Sequence, residues 1–191
     1  SGLLLIFLAS FTTDNLSKEF LELLNIAQME FEQPSGFKQT SIVDNEQMNY
    51  DYALIDSAQE IEVRYAITPL DGLIKEYEEK ERNKKRGEIN ISPNNLYSYA
   101  LETILLNIQD TKNMEPQQHA LEAKVLQNGF KADWGVITLL EVNKVFSKKF
   151  RRCMIIALHK DNKADSYCFV LTNKTESNFL TKDIFKSLVF K

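Results

Sequence analysis

The sequence has 191 residues, 43% of them hydrophobic and 26% charged, with only 6 Gly and 4 Pro, which excludes disordered and collagen-like classes. A chain of this size buries roughly two thirds of its unfolded surface, so it builds a core without metal or disulfide staples. Its formal charge of −4 excludes nucleic-acid binding driven by whole-domain electrostatics and leaves a local basic patch open.

In chain order, the apolar run Leu3 to Ser10 has two readings. It has the length and composition of a signal-peptide core, without a basic flank before it or a clean A-x-A site after it. It also reads as a buried first strand or helical turn. It is too short to cross a bilayer, so export and a cytoplasmic location both stand. Over Asp14 to Gln28, Leu16, Phe20, Leu21, Leu23, Leu24 and Ile26 recur at helical spacing, with Asp14 or Asn15 as the cap. A strand at Met29 to Glu32 runs into the turn Pro34-Ser35-Gly36. Tyr50, Tyr52 and Leu54, then Ile61, Val63, Tyr65 and Ile67, alternate with polar or small residues across a loop at Ser57-Ala58-Gln59, the pattern of strands buried on one face.

Lys75 to Glu88 is almost wholly charged and reads as an exposed helix or excursion. Ser92-Pro93 supplies a cap with proline at the first helical position, and Leu96, Tyr97, Ala100, Leu101, Ile104, Leu105 and Ile108 form an apolar stripe that lays this helix on a sheet. Strands are predicted at Leu121–Leu126, Trp134–Val142, Phe150–His159 and Asp165–Leu171, and a closing helix from Thr181 docks Ile184, Phe185 and Leu188. Runs of strands with helices set apart indicate an α+β fold on an antiparallel sheet. Residues 1–28 form an apolar segment and helix; 29–191 form a single domain with a charged helical insertion at about 71–113.

The strand-to-turn segment Phe31-Glu32-Gln33-Pro34-Ser35-Gly36-Phe37 and the terminal Phe185-Lys186-Ser187-Leu188-Val189-Phe190 resemble PsbP-like proteins. That family shares an α/β/α fold with the extrinsic photosystem II protein and a Ran-binding nuclear import factor. Phe130 to Gly135 and Ala157 to Asp165 are similar to uncharacterised exported proteins of this type. The resemblance spans about residues 29–191. It implies an antiparallel sheet sandwiched by helices and a non-catalytic, partner-specific role, and it carries over no functional residue.

Candidate chemistry is sparse, since the sequence contains no GxSxG, P-loop, GxGxxG, HExxH or EF-hand loop. His119, in a polar stretch, reads as a surface histidine. His159 with Asp161 and Asp165 offers an acid–base pair or divalent-metal site, while Lys160-Asp161-Asn162-Lys163 equally suits a hairpin turn. A two-residue turn there places Cys153 opposite Val170, on the same face as Cys168 but diagonal to it, too far for an easy bridge. Both cysteines then read as buried free thiols.

Asp133 and Trp134, followed by Gly135, read as core packing or as a ligand-stacking surface that the glycine lets a ligand approach. Arg82 to Arg86 follows several glutamates and reads as helical Glu/Lys pairing. Lys148, Lys149, Arg151 and Arg152 surround Phe150; they suit an acidic partner or anionic lipid heads, or guard an edge strand against aggregation. The expected function is a binding or accessory protein for a protein partner or small ligand, with no cofactor, metal, nucleic acid or integral membrane segment. The alternative is a hydrolase-type or metal-dependent enzyme built on His159, Asp161 and Asp165.

Overall fold

The computed structural model describes residues 16–58, 60–110, 116–175 and 182–191; the run Leu3 to Ser10 lies outside them. Helix α1 (Lys18–Ile26) starts where the Ser17 hydroxyl accepts the Phe20 N–H at 3.2 Å, the satisfied first-turn donor that a serine cap provides. Phe20 and Leu24 are its buried side chains. Strand β1 (Met29–Phe31) follows and pairs antiparallel with the last strand, β9 (Leu188–Phe190). The terminal segment predicted as helix is thus one short helix, α4 (Lys182–Phe185), then a strand. Ser187 makes the switch: its hydroxyl donates to Ile184 O and accepts from the buried Tyr65 hydroxyl.

The main sheet holds β2 (Lys38–Gln39), β3 (Tyr52–Asp56), β4 (Ile61–Pro69), β5 (Gln117–Ala120), β6 (Trp134–Glu141), β7 (Arg152–Lys160) and β8 (Ala164–Thr172). Its order is β2-β3-β4-β8-β7-β6-β5, and every neighbouring pair is antiparallel. Apolar clusters lie on both faces. One joins Phe20, Leu24, Tyr52, Val63, Tyr65 and Phe190, with Phe20 stacked on Tyr52 at 4.5 Å. The other packs Leu101, Ile104, Leu105 and Ile108 of α3 (Tyr97–Ile108) against Val136, Ile155, Tyr167 and Phe169. The strand β4 was expected to be buried on one face; it is central and buried on both. Its outlying polar positions are neutralised locally, as the Arg64–Glu62 pair shows.

Charge placement follows the sequence more closely. Helix α2 (Asp71–Arg82) has no buried residue and carries Lys75–Asp71 and, just past its end, Lys84–Glu81 ion pairs. Ser92 caps a 3-10 turn at Pro93–Asn95 that leads into α3.

Two local readings change. Leu121 to Leu126 is not a strand; the strand is the exposed, polar Gln117–Ala120 at the sheet edge. The leucines that follow pack over Gly135 instead: a Cβ there would stand 2.8 Å from Leu126, 2.9 Å from Leu158 and 3.0 Å from Leu121. Gly135 therefore admits core side chains rather than a ligand. Gly135→Ala is expected to destabilise the fold by about 1–3 kcal/mol, read as a lower urea midpoint; an unchanged midpoint would show that the leucines yield freely.

The β7–β8 hairpin closes on Lys160↔Ala164 with three loop residues, and Asn162 adopts φ +59°. Left-handed asparagine makes this longer turn affordable. Cys153 therefore opposes Leu171, not Val170, and a one-residue register change moves side chains to the other face. Cys153 and Cys168 lie in opposite clusters. Both are free and buried; burial pushes the Cys168 thiol up to about 12 and raises Cys153 as well.

Candidate functional site

Two groups of sequence candidates occupy opposite ends of the main sheet. At the end formed by the β7–β8 hairpin, the buried His159 ring is hydrogen-bonded through Nδ1 to Asp165 Oδ1 at 2.6 Å and through Nε2 to Asp161 Oδ1 at 2.9 Å. Two carboxylates on the two nitrogens favour the protonated ring, the form in which both nitrogens are donors. Burial alone would lower the His159 pKa, but the hydrogen bonds and charges of Asp165 and Asp161 together raise it above 6.5.

Tyr97 stacks on the imidazole at 4.3 Å, and Trp134 lies against Tyr97 at 4.7 Å. Trp134 pairs directly with His159 across β6 and β7, which puts both rings on the α3 face. Half-buried Trp134 thus covers the cluster. Asp133 uses its carboxylate elsewhere, accepting the Asp161 N–H at 2.9 Å, while its own N–H donates to His159 O. Asn94 and Asn162 exchange two hydrogen bonds.

The cluster ties the hairpin tip to the start of β6 and the turn before α3. A general base or metal ligand needs a ring nitrogen with a free lone pair, and His159 has neither nitrogen free. Among the described residues no group of His, Cys, Asp and Glu is placed to hold a metal ion. His119 sits exposed on β5, apart from the cluster.

At the opposite end, Lys148, Lys149 and Arg151 are exposed on the β6–β7 loop and Arg152, half-buried, begins β7. None of the four makes an ion pair among the described residues. The edge-guard reading does not survive: β7 lies inside the sheet, between β8 and β6, where no edge needs protection. Phe150, expected among these cations, is buried in the core, with the Lys149 ammonium 4.8 Å over its ring.

Side chains that sequence reasoning missed hold this loop. Asn143 Oδ1 accepts the Val145 and Phe146 N–H groups, and its Nδ2 donates to Asn107 O at the end of α3. Asn45 Nδ2 donates to Val145 O and Phe146 O. Ser147 Oγ accepts from Phe150 N, and Asn173 grips Arg151 N and Lys149 O with its two amide atoms. From below, Arg64 donates to Phe146 O at 2.8 Å. The only sequence signal was Asn143 at a strand end, a common turn former.

No known protein family, curated protein or solved structure matches this chain. Among the described residues, no helix is long and apolar enough to cross a membrane.

Proposed function

We propose that this is a non-catalytic binding protein that docks an anionic partner on the β6–β7 loop. The observation that carries the reading is the contrast within that loop. Its backbone is fixed by Asn45, Asn143, Ser147, Asn173 and Arg64, while its cations are left without acidic partners among the described residues. Ordering a loop in advance lowers the entropy lost on binding, and unpaired cations on a rigid frame set orientation and association rate. The double carboxylate grip on His159 favours this over the enzyme reading, because it makes the histidine a staple. We keep the PsbP-like arrangement as the finer fold proposal, supported by the Phe31 to Phe37 turn and by apolar clusters on both sheet faces.

The test is fluorescence anisotropy of a fluorescein-labelled glutamate-rich peptide against the full chain. Binding is expected to weaken steeply between about 50 and about 300 mM salt. The quadruple variant Lys148→Glu, Lys149→Glu, Arg151→Glu, Arg152→Glu is expected to lose it while unfolding at an unchanged temperature. Undiminished binding by that variant would refute the proposal.

A further inference from the structure

Helix α3 and its N-cap Leu96 carry a second stripe opposite the one the helix buries. Leu96, Tyr99, Thr103 and Leu106 are spaced by three, four and three residues, the a/d spacing of a heptad seam. All face solvent: Leu96 is 39% exposed, Tyr99 66% and Leu106 70%, and Thr103 is exposed with its hydroxyl turned onto Tyr99 O. Scattered exposed apolar residues need no explanation, but an aligned stripe marks a contact.

The seam runs into the basic loop. Asn143 N–H donates to Ile108 O, and Asn143 Nδ2 reaches Asn107 O and Gln109 O. These bonds bring exposed Lys144 and Val145, 59% exposed, next to the end of the seam. Lys148 and Lys149 follow on the same loop.

We infer that α3 and the β6–β7 loop form one docking surface for an amphipathic helix of a protein partner, apolar along its a/d face and acidic at the end that meets Lys144, Lys148 and Lys149. Charge complementarity selects this occupant. The seam itself is neutral, Glu102 being the one charged residue of α3, so a partner helix needs no charge along its length. The cations begin only where the seam stops, so the partner's acids belong at one end. The heptad spacing supplies register and the loop supplies polarity. This inference rests on the reading of the basic loop as a binding surface and adds the seam to it.

The probes are three synthetic helices of about 20 residues with leucine at the a and d positions, ending in glutamates, in lysines, or in glutamines. They are titrated by anisotropy against the full chain. The glutamate-ended helix is expected to bind about tenfold more tightly than the lysine-ended one. Tyr99→Gln with Leu106→Gln is expected to weaken all three helices about tenfold, and both positions are exposed, so circular dichroism should show an unchanged fold. Lys148→Glu with Lys149→Glu is expected to remove the preference for the glutamate end and leave the glutamine-ended helix unaffected.

If the loop variant lowers affinity but the seam variant changes nothing, the seam inference is overturned while the loop reading stands. If neither variant matters, both fall. Sedimentation showing a dimer that Leu106→Gln dissolves would make a second copy the occupant and overturn the inference. So would co-sedimentation with phosphatidylserine vesicles that the same variant abolishes, because the occupant would then be a bilayer.

Discussion

Replacing His159 by leucine is expected to cost about 3 kcal/mol of stability near pH 6 and distinctly less near pH 9. His159 is 1% exposed and bonded to both Asp165 and Asp161. Leucine fills most of the space but leaves the Asp165 carboxylate, 8% exposed, without a cation. Removing one member of a buried pair costs several kcal/mol because the other charge stays behind.

The pH dependence follows from the raised His159 pKa. A group that binds its proton more tightly folded than unfolded contributes fully below its unfolded pKa, about 6.5 for histidine. That contribution fades as pH climbs through the raised folded value. The native protein should therefore lose stability on the alkaline side of 6.5, and the leucine variant should lack this loss. Urea melts of both proteins at several pH values give the comparison. A difference that stays constant across pH would mean that His159 is neutral and merely packs. Asp161→Asn provides the contrast: its side chain is 60% exposed, so the penalty should stay below about 1 kcal/mol.

The parts of the fold legible in the sequence were those set by local periodicity. The α3 stripe from Leu101 to Ile108 reports its buried face directly, whereas the alternation from Ile61 to Ile67 reports one buried face of β4 and misses the other, where Arg64 and Ala66 are buried too. The β7–β8 hairpin was legible as a hairpin, but its register depended on whether the loop held two residues or three, and Asn162 in the left-handed region chose three. Leu121 and Leu126 read as strand positions, whereas they pack over Gly135 of β6, a contact that local periodicity does not encode.

The sites divide the same way. His159, Asp161 and Asp165 are close in sequence, so their meeting across one hairpin was visible, whereas Tyr97 stacks on His159 and Asn94 holds the hairpin turn at Asn162 from distant parts of the chain. Strand order is non-local, which is why β7 was readable as an edge when it is central. The frame of the basic loop was hidden for the same reason, since Asn45 and Arg64 act across separations of 101 and 82 residues.

Arg64 joins that frame to the core, and Arg64→Met is expected to be the second costly substitution, at about 3 kcal/mol. The guanidinium pairs with Glu62 at 2.6 Å, donates to Phe146 O, and lies 4.8 Å from the Tyr50 ring centre and 4.9 Å from that of Phe146. Methionine keeps much of the apolar stem but strands Glu62, whose side chain is only 16% exposed, and frees a backbone carbonyl that no longer has its donor. The loss should fall unevenly. Amides from Phe146 to Arg151 are expected to exchange faster, and the glutamate-rich peptide should bind more weakly although every cation of the loop is intact. The double variant Glu62→Leu, Arg64→Met removes the stranded charge and should recover part of the stability, because an apolar pair of similar volume often replaces a buried ion pair at little cost. It should not recover peptide binding, since the bond to Phe146 O remains missing. Recovery of both would show that the loop is ordered by core stability in general; recovery of stability alone would show that Arg64 orders it through that one carbonyl.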